Sequence, residues 1–203
     1  SEICEKYDAD YWVWAPASFD LTDEKLRAEE LKTHEEFYKA CPRLDDVFIP
    51  GGDPGHNHPR DVLPFMKDLA TILHKYHPDA GIWVSLQGFN EYFFDYLNKE
   101  NQDWLAGVVY GPSSPPIKLE RELLPEKYRH RFYPDLTHTV RCQYPVPHWD
   151  QAFALTLGRE CTNPMPEYYT NIFRQDSPFT DGFVSYSDGV HDDVNKVLWS
   201  QLG

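Results

Sequence analysis

Val47-Phe48-Ile49-Pro50-Gly51-Gly52-Asp53-Pro54-Gly55-His56-Asn57-His58 passes abruptly from an apolar run to glycines, prolines, one carboxylate and two imidazoles. The apolar run has the character of a strand buried on both faces, as in a parallel sheet. An amphipathic segment follows at once. Val62, Phe65, Met66, Leu69, Ile72, Leu73 and Tyr76 recur at three- and four-residue steps, which predicts a helix over 61–76 with one apolar stripe. Pro64 is expected in its first turn, where a missing N–H costs least. Strand, polar loop and helix form the repeating unit of α/β folds, whose chemistry sits at strand C-termini.

The unit recurs along the chain. Residues 1–9 read as the last turn of a helix with no visible start, so the natural protein is expected to begin earlier. An aromatic strand over 11–16 leads to a helix with Thr22 as the expected cap, Asp23 and Glu24 in its first turn, and Pro42 as its stop. Further strands are predicted over 82–86, 105–110, 129–134, 159–162 and 182–186. Helices are predicted around Tyr92 to Leu97, Leu119 to Leu124, Trp149 to Gly158, Tyr168 to Phe173 and Val194 to Leu202. Seven strands spaced about 25 to 35 residues apart match the unit length of a (β/α)8 barrel. One strand is missing for closure, and the opening helix end places it before Ser1. The expected fold is therefore α/β, a (β/α)8 TIM-like barrel segment lacking its first strand, with 1–203 forming most of one domain of a longer protein. An open doubly wound sheet is the alternative, but Gly51-Gly52-Asp53-Pro54-Gly55 is not the G-x-G-x-x-G of a nucleotide-binding turn.

Composition narrows the partners. With 203 residues and 41% hydrophobic content, the chain can bury one substantial core. A formal charge of -14 repels phosphate backbones and no Lys/Arg cluster offsets it, so nucleic acid is not expected. No apolar run approaches the ~20 residues of a membrane span. Cys4, Cys41, Cys142 and Cys161 show no C-x-x-C spacing, so a zinc or redox motif is not expected. Even in number, they allow three disulfide connectivities, but at so low a density free, buried thiols are favoured over a disulfide framework.

In this register the strand ends gather the residue types that bind polyols and move protons. Asp53 and Asp188 are the first catalytic candidates, Glu160 and Asp135 the next, since two facing carboxylates can divide acid and base work in glycosidic cleavage. Gln87, His138, Asn163 and Tyr186 are expected to bind hydroxyls, with His56 and His58 as further binding candidates. Trp14, Phe89, Tyr110, Tyr144 and Tyr186 supply rings that stack on sugar faces. Each carboxylate also has a structural reading: Asp53 precedes the turn residues Pro54-Gly55, and Asp188 precedes Gly189 and a helix start. His56-x-His58 admits a metal-dependent hydrolase of amides or esters, with His138 and Asp188 completing the ligands. Barrel metallohydrolases place such a pair after the first strand, whereas here it follows the third, so no metal or cofactor is expected.

Several motifs carry a resemblance. Phe48 to His56, Tyr133-Pro134-Asp135-Leu136-Thr137-His138, Gln143-Tyr144-Pro145-Val146-Pro147, Asn163-Pro164-Met165-Pro166 and Tyr186-Ser187-Asp188-Gly189 with Asp192-Asp193-Val194-Asn195-Lys196 together resemble the catalytic-barrel region of bacterial glycoside-hydrolase-like proteins. The broader similarity is to the α-glucuronidase and β-N-acetylhexosaminidase groups. The resemblance implies a barrel, an oligosaccharide or glycoside substrate, a carboxylate mechanism and further domains in the same chain. Hexosaminidases of this kind carry an acidic pair after the fourth strand, where this sequence reads Ser85-Leu86-Gln87-Gly88-Phe89. Substrate-assisted hexosaminidase chemistry is thus not implied. A catalytically silent sugar-binding barrel is the reading from outside the enzymes.

Overall fold

The computed structural model describes residues 2–52, 55–88, 91–99, 102–111, 113–133, 135–137, 166–184, 186–187 and 192–203, with 135–137, 186–187 and 192 described in the backbone alone. Five parallel strands form one sheet in the order β1-β2-β3-β4-β5: β1 (Trp12–Trp14), β2 (Asp46–Ile49), β3 (Gly81–Ser85), β4 (Leu105–Tyr110) and β5 (Arg129–Phe132). The fold is α/β, as the alternating pattern predicts. The order runs without reversal, whereas a doubly wound sheet reverses at its switch point.

The chain packs as two compact units, Ser1–Val109 with Glu122–Arg129, and Tyr110–Arg121 with His130–Gly203. In the first, α1 (Glu2–Lys6) precedes β1, and α2 (Glu24–Ala40), α3 (Pro59–Leu73) and α4 (Glu91–Lys99) cross over between strands. Right-handed crossovers in an unreversed order bring successive helices to the same face. Accordingly α2 packs on α3 and α3 on α4. They cover Val47, Ile49, Ile82, Val84 and Val108, with Val62, Phe65, Met66, Leu69 and Leu73 of α3 in the same core. The sheet's other face follows from its period of two. There the register aligns Trp14, Phe48, Trp83 and Gly107 in one row. Trp83 is fully buried, stacks on Trp12 with ring centroids 4.9 Å apart, and gives its indole N–H to the Asp46 carboxylate at 2.6 Å. The Arg129 guanidinium lies 4.8 Å from the Trp83 ring centre. Gly107 makes room for this ring: a Cβ there would stand 2.8 Å from Trp83 Cε3 and 2.6 Å from the Arg129 carbonyl oxygen.

Two helix boundaries differ from expectation. Asp23, not Thr22, caps α2, accepting from the N–H groups of Lys25 and Leu26, while the Thr22 hydroxyl turns back to Asp20. The third helix starts at Pro59 because His58 Nδ1 accepts from Arg60 N–H, so Pro64 lies in the second turn rather than the first. Pro59 fills the first-turn role instead.

In the second unit, α5 (Ile117–Leu123), α6 (Pro166–Asp176), a 3-10 turn (Ser177–Phe179) and α7 (Asp192–Leu202) surround β5. Phe132, Tyr169, Ile172 and Trp199 form its core, and α6 packs on α7. Phe132 bridges Phe183 in parallel, and beyond it β6 (Asp135–Thr137) pairs with β7 (Tyr186–Ser187). Phe132 N–H donates to Gly182 O at 2.8 Å and Val184 N–H to Phe132 O at 2.7 Å. The last strand thus lies directly beside β5 and β6. Residues 149–162 lie outside the described residues. Cys4 and Cys41 are half-buried free thiols, and Cys142 and Cys161 are outside the described residues. Among the described residues, no helix is long and apolar enough to cross a membrane.

Candidate functional site

Three loops leave the C-terminal ends of β1, β2 and β3, and side chains tie them together. Asn57 sits after β2. Its amide nitrogen donates to Ala17 O at 3.1 Å and Phe19 O at 2.8 Å, and its oxygen accepts from Leu21 N–H at 2.9 Å. All three partners belong to the loop after β1. Gly55 permits this approach with φ at +117°, a conformation that costs glycine little, and a Cβ there would meet Ala17 O at 2.7 Å.

A second set of bonds joins the loops after β2 and β3. Gly51 N–H donates to Ser85 Oγ at 3.0 Å, Gly52 N–H donates to Gln87 O at 2.7 Å, and the Ser85 hydroxyl donates to Gln87 Oε1 at 3.2 Å. A Cβ at Gly52 would stand 2.7 Å from Gln87 O, so only glycine lets the two backbones approach this closely. The two residues immediately before Asp53 are therefore held on both sides.

The predicted residues fall into three groups. Trp14, His56, His58 and Gln87 lie at this strand-end cluster. Trp14 is 55% exposed at the end of β1, a large flat ring left in solvent. His56 is exposed; His58 is exposed too, but its ring caps α3 and meets Tyr92 edge-on at 5.5 Å. Gln87 is half-buried. Tyr110 belongs to the second unit, where its ring packs on Phe132 at 5.7 Å and edge-on to His130 at 6.5 Å. The backbone pairs Asp135 with Tyr186 across β6 and β7. Asp53, Phe89, His138, Tyr144, Glu160, Asn163 and Asp188 lie outside the described residues.

A cleft of about 560 Å³ opens at the opposite, N-terminal ends of the strands, lined by Arg43, Asp45, Asp46, His77, Asp79 and Arg129 among others. Arg43 is already engaged there by Asp45 at 2.8 Å and Asp10 at 3.8 Å. In parallel α/β folds this end carries stability rather than chemistry, so the strand-end loops remain the better candidate. Among the described residues no cluster of three His, Cys, Asp or Glu side chains could hold a metal ion.

Sequence reasoning missed Ser85, Asn57 and one buried pair. Glu120 of α5 and His130 of β5 are both fully buried, with Glu120 Oε2 and His130 Nε2 2.9 Å apart. His130 Nδ1 lies 2.9 Å from Phe179 O, and its backbone N–H donates to Asp181 at 2.8 Å. A carbonyl only accepts, so Nδ1 carries a hydrogen. The Nε2 contact is then a hydrogen bond only while the pair holds one further proton. Burial pushes the Glu120 carboxyl above its ordinary range, against the pull of the imidazole. The only sequence signal is a charged residue on the apolar side of a short helix.

A comparison with protein-family models finds no match for this chain, and a comparison with curated proteins finds none either.

Proposed function

We propose that the chain is the barrel segment of a carbohydrate-active hydrolase whose site lies on the loops after the parallel strands. The observation that carries this reading is the pinning of Gly51 and Gly52, directly before Asp53, by Ser85 and the Gln87 backbone. Glycosidic cleavage needs two carboxylates at a fixed separation, and a carboxylate on a loop braced from the next strand suits that demand. Trp14 adds an exposed ring of the kind that stacks on the apolar face of a sugar. The unreversed strand order, with its helices on one face, supports reading the sheet as consecutive strands of a (β/α)8 barrel.

In this reading Asp53 and Asp188 follow β2 and β7 and divide the acid and base or nucleophile roles, with Glu160 and Asp135 as the next candidates. Gln87, His56, His58, His138 and Asn163 bind hydroxyls, and Tyr110, Tyr144 and Tyr186 stack or bind. Turnover of a panel of aryl glycosides and polysaccharides tests it. Asp53→Asn and Asp188→Asn are each expected to lower kcat/KM by about 10²–10⁴-fold. Unchanged rates in both variants would sink the assignment, and saccharide binding without any turnover would leave a binding barrel in its place.

A further inference from the structure

We propose that Ser85 is a positioning residue that locks the Gln87 carboxamide as a hydrogen-bond donor to an acceptor oxygen of a bound saccharide. The ligand's identity rests on the carbohydrate reading above, whereas the orientation of the amide rests on geometry alone.

The relay starts at a backbone group whose direction is not in doubt. Gly51 N–H can only donate, and it donates to Ser85 Oγ at 3.0 Å. Ser85 is fully buried and its hydroxyl hydrogen needs an acceptor of its own. The side-chain atom within reach is on Gln87, at 3.2 Å. If the carboxamide were turned round, Ser85 Oγ would accept twice and its hydrogen would have no acceptor among the described residues. Oxygen therefore faces Ser85, and the amide orientation follows from the network instead of from the shape of the group. Gly52 N–H to Gln87 O at 2.7 Å fixes the Gln87 main chain at the same time.

What remains free is the Gln87 amide nitrogen. Its two N–H groups have no partner among the described residues, and the side chain is half-buried at the mouth of the strand-end loops. A buried backbone donor at one end of the relay thus commits an accessible donor pair at the other. Such a pair accepts no hydrogen from a ligand; it binds lone pairs on a hydroxyl, carboxylate or acetamido oxygen. Gln87 also lies one strand over from Gly52, beside the residue proposed to carry the acid or base.

Nuclear magnetic resonance of the full chain, ¹⁵N-labelled, tests both halves. In the unmodified protein the Gln87 side-chain amide is expected to be as ordered as the backbone, with S² near ~0.85, and to fall below ~0.6 in Ser85→Ala but not in Ser85→Thr. Neutral hexoses, N-acetylhexosamines and hexuronates are then titrated in. A sugar that binds should shift the Gln87 amide resonances, and should bind about tenfold more weakly to Ser85→Ala and to Gln87→Met, a near-isosteric change at a half-buried position that keeps the donor role testable if Ser85→Ala unfolds. An equally ordered amide in Ser85→Ala overturns the positioning role. Equal affinity in Gln87→Met, or unmoved Gln87 resonances with sugar bound, overturns the donor role. Failure of every sugar to bind removes the carbohydrate reading and the named ligand together, while the amide order still decides the relay.

Discussion

Glu120 and His130 meet at 2.9 Å with neither side chain exposed, and the Phe179 carbonyl holds the far side of the ring. The pair needs one shared proton, which ties the second unit's stability to pH. Because burial raises the Glu120 pKa above its ordinary 4.5, its contribution is complete below about that pH and drains away as pH rises toward the folded-state value. In chemical denaturation between pH 4.5 and 8.5 the pair's contribution is expected to fall as pH rises. Partly buried His34, whose pKa desolvation lowers, acts in the opposite direction below about 6.5, so the pair is read from the difference between the parent and a Glu120 variant. Glu120→Gln should flatten that slope, since an amide donates to Nε2 without titrating. Parallel curves for the two proteins would contradict this.

The indole of Trp83 is the pivot of the sheet's aromatic face. Trp83→Phe removes the donor to the buried Asp46 carboxylate, at a cost of about 1–3 kcal/mol. Gly107→Ala drives a methyl into the Arg129 carbonyl and the Trp83 ring, and overpacking of this kind costs about 1–3 kcal/mol. Urea midpoints measured at constant m-value check both. A Gly107→Ala protein as stable as its parent would mean the sheet opens here more easily than its register implies.

Capping separates two adjacent residues. Asp23→Ala should destabilise by about 1 kcal/mol, because it strips two backbone N–H groups of their acceptor. Thr22→Ala should stay within about 0.5 kcal/mol, as its hydroxyl bonds only the exposed Asp20. Equal losses from the two would place the cap one residue earlier than the hydrogen bonds do.

Pro64 sits on the exposed side of α3 and denies Arg60 O the N–H it would otherwise receive. Pro64→Ala restores that bond and removes the ring's crowding, while giving back some unfolded-chain stiffness. The net expectation is a gain of about 1–2 kcal/mol. A loss in thermal unfolding experiments would indicate that the proline's bend is itself used.

The elements that were readable from sequence are those a single repeat decides. Val47 to Ile49 and the stripe from Val62 to Leu73 needed only periodicity, because one apolar face against a sheet has one sensible arrangement. The start of α3 was not readable, since it turns on a histidine nitrogen acting as a cap, a role no propensity assigns. Ser85 reaches Gly51 across 34 residues and Asn57 reaches Leu21 across 36. A bond of that span leaves no local mark beyond an unremarkable polar side chain. The neighbour of the last strand was unreadable for a related reason: 182–186 reads equally well beside any parallel strand, and only the pairing of Phe183 with Phe132 tells which one it chose.

That pairing also sets a timetable for a chain made from its N-terminus. Gly51 finds Ser85 after 34 residues, but the β5 segment waits 51 residues from His130 before Asp181 arrives. At ribosomal rates of about 5–20 residues per second, the outer edge of β5 stays open for roughly 3–10 s. An open edge of backbone donors and acceptors recruits whatever extended segment reaches it first.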